Sequence, residues 1–420
     1  MSYVADLHMH SRYAYATSKE LNLENLARWA KIKGIDLLAS ADFTHPVWFE
    51  ECRSKLKDTD DGLFEYEGVK FILGSEVDTR GKQGGKSRRV HMLVFAPDFD
   101  AVERINTVFR SHGKLDFDGR PSLDLLPREL LAVIKEIDER CFVIPAHLWT
   151  PWFGLYGAKS GYDSLEECFG DMASEIHAIE TGLSSDPAMN WAVPSLDKVS
   201  IMSFSDAHSL PNMGRELTVV NGEFSYDGLV QAIREQNIVY TVEFYPEEGK
   251  YHHSGHRNCG VRLSPSELRE KGDRCPSCGR AVTIGVSYRV EQLGGRQVKT
   301  WVGDDGFIHG DTGRPPFKSL VPLREILSES LGVGVNTKKV RTAYERLTEH
   351  FGNELTVLMD VPTGDISMVL NERTAEGISK VRSGDISIEP GYDGVYGKVS
   401  VWADLSRDAE NRSAQARFLP

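Results

Sequence analysis

The residues able to do chemistry fall in two parts of the 420-residue chain. In the first, a short apolar run, Tyr3-Val4-Ala5, leads straight into Asp6-Leu7-His8-Met9-His10. Side chains alternate along a strand, so His-x-His at a strand end sets both imidazoles on one face. Two imidazoles side by side are half of a metal site. The pattern then recurs: later apolar runs end at or beside Asp42, Glu76, His147, Glu180, Asp206 and His208, and one opens with His91. The set His8, His10, Asp42, Glu76, His91, His147, Asp206 and His208 mixes imidazole with carboxylate, which suits Zn²⁺, Mn²⁺ or Fe. These residues are the expected ligands and the catalytic set. A bridging carboxylate such as Glu76 can hold two ions close together. The chemistry of such a pair is hydrolysis, with a water acidified to near neutral pH and both oxygens of an in-line displacement at phosphorus clamped. His177, in the middle of its strand, reads as structural.

The second part is His256-Arg257-Asn258-Cys259 followed by Cys275-Pro276-Ser277-Cys278. Each half can form a tight turn that presents two ligands, and Gly260 and Gly279 permit the reversal after it. Three thiolates and one imidazole indicate one structural, tetrahedral Zn²⁺. His252 and His253 are close, but His256 has the x-x spacing to a cysteine. The other cysteines, Cys52, Cys141 and Cys168, are scattered and read as reduced, partly buried thiols.

The elements that must position these groups alternate. Candidate strands are Tyr3–Leu7, Asp36–Ser40, Val69–Val77, Val90–Ala96, Phe142–Ala146, Glu175–Glu180, Ser200–Ser205 and Glu216–Val220, with helical patterns such as Leu23–Lys33 and Leu125–Glu139 between them. Such alternation reads as βα units around a mainly parallel sheet, open or closed into a barrel. Barrel enzymes gather catalytic groups at the C-terminal ends of strands, which is where the ligand-type residues lie. Past Tyr240 the texture changes. Pro246–Lys250 reads as a linker, and residues 241–312 hold the zinc module. Residues 313–407 show helical periodicity at Leu320–Leu331, Lys338–Phe351 and Thr374–Val381, with a compact turn at Pro390–Gly397. Residues 408–420 read as a flexible polar tail.

Length predicts more than one domain. Hydrophobic residues make up 40% and charged residues 26% of the chain, as in soluble globular proteins. No run is long enough to span a membrane. The N-terminus enters its first strand without a secretory signal pattern, so a cytoplasmic location is expected. A net charge of -13 argues against a broadly basic nucleic-acid surface, though not against a local basic groove.

Asp-x-His-x-His at the start, Glu at the end of the third strand, a lone His, and Asp206-Ala207-His208 resemble the polymerase and histidinol phosphatase (PHP) superfamily. The resemblance covers about the first 240 residues. It implies a distorted (β/α)7 barrel with a phosphoesterase site of two or three metal ions (Zn²⁺, Mn²⁺ or Mg²⁺). The chain departs from the pattern twice. Ser11–Ser18 lacks the usual acidic residue after His-x-His, and the usual Asp-His is Asp42-Phe43, with His45 two residues on. His45 is open between a ligand role and a place near the substrate.

A zinc module between a phosphoesterase barrel and a helical region resembles the endonuclease Q family, DNA-repair nucleases of archaea and some bacteria. The supporting stretches are Ala16–Lys19, Pro145–Trp152, Gly182–Pro187, Gly249–Gly260 and Pro390–Gly397. The resemblance implies incision of duplex DNA on the 5′ side of a deaminated base (uracil, hypoxanthine or xanthine) or an abasic site. Such an enzyme must pull the base from the stack. Trp149, Trp152, Phe153 and Tyr156 follow His147 directly and either stack on the flipped base or plug a long loop. Ser185 and Asn190 are candidates to read the Watson–Crick edge. Arg80, Lys82, Lys86, Arg88 and Arg89 form a basic, Gly-rich loop that either meets phosphates on the metal face or is simply solvated. The Pro390–Gly397 turn could offer N–H groups to a phosphate, or be only a tight turn. A sliding clamp is a candidate partner, although Gln415–Pro420 is too short and loose a match to assign one. Two other readings are a PHP phosphatase of small metabolites and an idle barrel serving as a nucleic-acid scaffold. The zinc module and basic segment weigh against the first. The full ligand set, costly if buried unused, weighs against the second.

Overall fold

The computed structural model describes residues 1–403. The expected tail from 408 and the clamp-like segment lie outside them. None of the described helices is long and apolar enough to cross a membrane.

The fold is mixed α/β and begins as the βα alternation predicts. Strand Ser2–Asp6 lies parallel to Leu37–Ala39, which lies parallel to Val69–Gln83. Helix Leu23–Lys33 connects the first two, started by the Asn22 side chain accepting the Asn25 N–H. Simple alternation then breaks down. Val69–Gln83 turns at Gly84-Gly85 and returns as Lys86–Ala96, antiparallel from Leu73↔Ala96 to Gln83↔Lys86. The basic stretch expected as a loop is therefore the outer half of a long β-ribbon. Both turn glycines have left-handed φ, 58° and 75°, the backbone a two-residue hairpin turn demands.

That reversal positions the site. His91 stands midway along its strand and faces Asp78, because the strand runs backwards. It thus reaches the same end of the sheet as the parallel strands' C-termini. Phe142–Pro145 pairs antiparallel with Met92–Phe95 and so restores the original direction. Ala178–Glu180 and Ser200–Met202 pair in parallel. Leu217–Asn221 runs antiparallel beside Ser2–Ala5 and is followed by Ile238–Glu243. Two hydrophobic clusters line this sheet, one around Leu26, Trp48, Phe71 and Ile105, the other around Leu7, Phe95, Ile144 and Phe204.

The sheet does not stop at residue 240. Ile238–Glu243 crosses that expected boundary, and Phe317–Ser319, Ile308–Gly310 and Thr300–Val302 extend the sheet beside it. Between them lies the cysteine-bearing module. Its hairpin Ser254–His256/Val261–Leu263 and helix Pro265–Lys271 close over a small core of Leu263, Leu268, Cys275 and Val282. The C-terminal region is helical as expected: Leu323–Leu331, Lys338–Phe351 and Glu372–Ser383, with shorter helices Glu354–Met359 and Thr363–Val369 between. The Pro390–Gly397 turn keeps its own N–H groups. Gly391, Gly394 and Gly397 donate to the carbonyls of Glu247, Lys250 and Glu248, which docks the turn on the supposed linker. It is a packed turn, with those donors unavailable to a phosphate.

The helical region is pinned to helix Leu23–Lys33 by a buried ion pair. Lys33 Nζ lies 2.5 Å from Glu354 Oε2, and the Tyr344 hydroxyl and Leu323 N–H also donate to that carboxylate. Removing one partner strands a buried charge, so Glu354→Ala should cost about 3–5 kcal/mol, read as a lower denaturation midpoint. Glu243 gives a pH test. Burial pushes its carboxyl up to about 8, although Ser203 and Thr241 donate to it. Between an unfolded value of about 4.3 and that raised value, the folded chain holds a proton that the unfolded chain has lost. Stability therefore falls as pH rises through this window. Glu243→Gln should melt higher than the parent at pH near 8.5, with the gap closing towards pH 5.

Candidate active site

The strand ends meet around Glu76. Its Oε2 lies 3.4 Å from His8 Nε2 and 3.3 Å from His10 Nε2. Its Oε1 lies 2.6 Å from His91 Nδ1 and 3.1 Å from His147 Nε2. Asp206 Oδ1 adds contacts of 3.1 Å to His10 Nε2 and 3.5 Å to His8 Nε2. Two donor groups result, His8/His10/Glu76/Asp206 and Glu76/His91/His147, each with its ligand atoms within 4.8 Å of one another. Glu76 belongs to both. His8 Nε2 and His147 Nδ1 are buried without a hydrogen-bond partner, which is costly unless something else satisfies them. Imidazoles and carboxylates in this arrangement fit divalent metal ions, and Glu76 stands where a bridging ligand would.

Supporting carboxylates aim the imidazoles. Glu180 places its two oxygens 2.9 and 3.0 Å from His8 Nδ1, and Oε2 accepts the His147 N–H at 2.6 Å. His8 is thereby held with Nε2 facing Glu76. Asp42 does the same for His10, lying 3.2 Å from Nδ1 while accepting the Ser11 N–H at 2.6 Å. Asp42, expected as a ligand, therefore stands behind His10, outside both donor groups. Such carboxylate–imidazole pairs fix tautomer and ring orientation. His208 also lies outside them. Its Nδ1–H donates to the Asp206 carbonyl, and its ring, one-third exposed, lies 4.6 Å from the His10 ring at the rim. His45 stacks on Tyr13 at 4.3 Å, away from both groups. Glu180 was visible as a strand end but not as a partner of His8.

The backbone at these strand ends is held in an uncommon state. Ala41, Asp42, His147 and Asp206 have φ of 61°, 33°, 31° and 44°, where non-glycine residues carry strain that the surrounding structure must over-determine. At Gly182, φ is 59° and a Cβ would sit 2.4 Å from His147 Cβ, so no other residue fits beside that turn.

Charge knits the cluster together. Burial alone would favour neutral His8, but Glu180, Asp206 and Glu76 outweigh it and raise its pKa well above the usual range. Burial likewise opposes the Glu76 carboxylate, yet His91, Arg120 and His8 hold its pKa well below the ordinary value. Arg120, whose Nη1 lies 3.2 Å from Glu76 Oε2, sits in a segment without any sequence motif and was missed.

The expected substrate residues divide. Phe153 stacks on His91 at 4.5 Å with Arg89 above it, and Trp152 is exposed, edge-on to Tyr251 at 4.8 Å. Trp149 and Tyr156 are buried and form the loop plug instead. Trp149 Nε1–H donates to Asn190 Oδ1, whose amide donates to Ser185 Oγ and the Asp186 carbonyl, and Ser185 donates to the Thr181 carbonyl. Ser185 and Asn190 are thus saturated inside the fold, and a role at a base edge is corrected to packing. Of the basic residues, Lys82 and Lys86 are exposed on the ribbon, Arg80 pairs with Asp124 and Arg89 with Asp78. Arg88 is buried, paired with Glu167 over the Tyr162 ring, and is structural. His256, Cys259, Cys275 and Cys278 converge as the spacing predicts, their ligand atoms within 4.8 Å. They fit one tetrahedral ion.

Donors of this kind at converging strand ends define a metal-dependent hydrolase. Comparison with known proteins narrows the class. Residues 322–385 match the family model of the MJ0043 C-terminal domain. The crystal structure of PfuEndoQ from Pyrococcus furiosus, described as a novel lesion-specific endonuclease, matches with a TM-score of 0.83 and 30% identity over 97% of each chain. Endonuclease Q in complex with a 27-mer duplex bearing an abasic lesion at the active site matches equally, at TM-score 0.83 and 31% identity, covering 96% of this chain and 98% of that one. Uncharacterized protein YqxK of Bacillus subtilis is 29% identical over 413 residues, 94% of this chain and 98% of its own length. Uncharacterized protein MJ0043 of Methanocaldococcus jannaschii is 32% identical over 260 residues, 60% of this chain, and the match spans only 31% of MJ0043. The chain belongs to the endonuclease Q family.

The imidazole-aiming role of Glu180 gives a direct measurement. Glu180→Gln should weaken metal binding at the Glu76 cluster by about 10–100-fold, measured by competition with a chelator, while the cysteine module keeps its ion.

Proposed function

We propose that the chain is a DNA-repair endonuclease that hydrolyses the phosphodiester bond on the 5′ side of a deaminated base (uracil, hypoxanthine or xanthine) or an abasic site. The observation that carries this reading is the pair of donor groups sharing Glu76, in a chain that matches over nearly its whole length an endonuclease Q solved on abasic duplex DNA. His8, His10, Glu76 and Asp206 on one side, and Glu76, His91 and His147 on the other, would hold two or three Zn²⁺, Mn²⁺ or Mg²⁺ ions. When bound, such ions supply an acidified water and positive charge beside a phosphate. Glu180 and Asp42 keep the imidazoles aimed. His208 has Nδ1 committed to the Asp206 carbonyl, which leaves Nε2 for a phosphate or leaving oxygen.

The rest of the substrate is met by a mixed aromatic and basic strip. Phe153 and Trp152 lead from His91 to Tyr251, with Lys250 over both Tyr251 and the exposed Tyr396. Exposed rings of this kind stack on unpaired bases, and cations beside them follow the backbone. Lys82 and Lys86 extend that charge along the ribbon. One structural Zn²⁺ in the His256/Cys259/Cys275/Cys278 module would fix Tyr251 and its neighbours, and the helical region would grip the duplex.

The test is incision of end-labelled duplexes carrying one deoxyuridine, deoxyinosine or abasic site, with Mg²⁺ or Mn²⁺, beside an undamaged control. A single nick 5′ of the lesion, lost in Asp206→Ala by about a hundredfold or more, is expected. Intact duplexes, with phosphate released from a small ester instead, would replace this reading with a metabolite phosphatase.

A further inference from the structure

Arg120 touches the carboxylate on which both donor groups depend, yet no motif includes it. Its placement is firm. The Gly119 carbonyl accepts the Thr44 hydroxyl at 3.0 Å, and the Gly119 N–H donates to the Tyr13 carbonyl at 3.0 Å. Asp118 accepts the Arg120 and Tyr15 N–H groups, and the Pro121 carbonyl accepts the Asp78 N–H. Ser122–Leu123 then pairs alongside Asp78–Thr79. A Cβ at Gly119 would lie 2.4 Å from Asp42 Oδ2, so the segment lies close over the site. Arg120 is therefore strapped between the loop after His10 and the ribbon that carries Glu76.

The side chain is not used up. Glu76 is fully enclosed, whereas the Arg120 side chain beside it keeps 24% exposure. Among the described residues its guanidinium makes one hydrogen bond, from Nη1 to Glu76. A guanidinium carries five N–H donors in a planar fork shaped for carboxylate and phosphate oxygens. One nitrogen of the fork is anchored on the shared carboxylate, and its other N–H donors have no hydrogen-bond partner among the described residues.

We propose that Arg120 is a catalytic residue that binds the scissile phosphate, donating from its free edge to a non-bridging oxygen. The claim rests on the reading of the site as a phosphoesterase. Fixed to Glu76, the guanidinium costs no reorganisation when negative charge grows on that oxygen. Arginines serve phosphoryl transfer in this way by stabilising charge rather than by moving protons.

Titrating inorganic phosphate into metal-loaded protein tests the proposal, with metal content and lesion incision measured on the same samples. Arg120→Ala should bind phosphate more weakly by on the order of 10–100-fold, with metal content unchanged. Its incision kcat should fall, and added guanidinium ion should restore part of it. Arg120→Lys should lie between, because an ammonium cannot use both edges. Equal phosphate affinity in Arg120→Ala, loss of its metal, or no phosphate binding by the parent protein would overturn the proposal. If the parent fails to cut lesion DNA while phosphate binding still depends on Arg120, the endonuclease reading falls and this assignment stands.

Discussion

The site hangs on one buried carboxylate. Glu76 faces His8 and His10 with one oxygen and His91 and His147 with the other. These residues come from three separate stretches of the chain, and Glu76 touches all four of them. An isolated carboxylate at such depth would be strongly disfavoured. Here the surrounding imidazoles and Arg120 keep it charged. Removing Glu76 would leave the imidazoles facing one another, so the two halves of the cluster stand or fall together.

Precision at Glu76 is borrowed from elements that do no chemistry. The parallel strands deliver His8 and His10 on one face because side chains alternate. Glu180 and Asp42 fix how those rings are turned. The left-handed turns at Asp42, His147 and Asp206 bend the chain back toward the centre as each strand ends. Strain of this kind is tolerated only where neighbours leave no alternative, and the packing of Gly182 against His147 is one such constraint. The Lys33–Glu354 pair adds the helical region to the same body.

Much of this was readable from residue types and spacing. His-x-His, Glu76, His91, His147 and Asp206 converge as their types and positions predict, the cysteine quartet comes together as its spacing demands, and the family resemblance rests on the same residues. What escaped was direction and depth. Spacing marks Asp42 as a carboxylate near His10 but cannot tell which side of the ring it occupies. The segment from Arg80 to Arg89 reads as a loop because it is polar and Gly-rich, yet both arms of the ribbon are polar, and only the Gly84-Gly85 turn betrays it. Trp149, Tyr156, Ser185 and Asn190 have residue types suited to a base pocket, but burial is a property of the folded chain, and the hydrogen bonds of Trp149, Ser185 and Asn190 turn inward. Arg120 lies outside any pattern, held by contacts among Tyr13, Thr44 and Asp78 that only the tertiary structure creates.

The ribbon has a consequence for how such a chain can diverge. Glu76 and His91 occupy its base, and the register there depends on the pairing beneath them, not on where the two arms turn. Residues added in matched pairs before Gly84 and after Gly85 would leave every side chain at the base on its own face. Each added residue per arm would carry the tip about 3.3 Å further out. Length at that tip is thus a variable the register leaves open, while the reacting centre stays as it is.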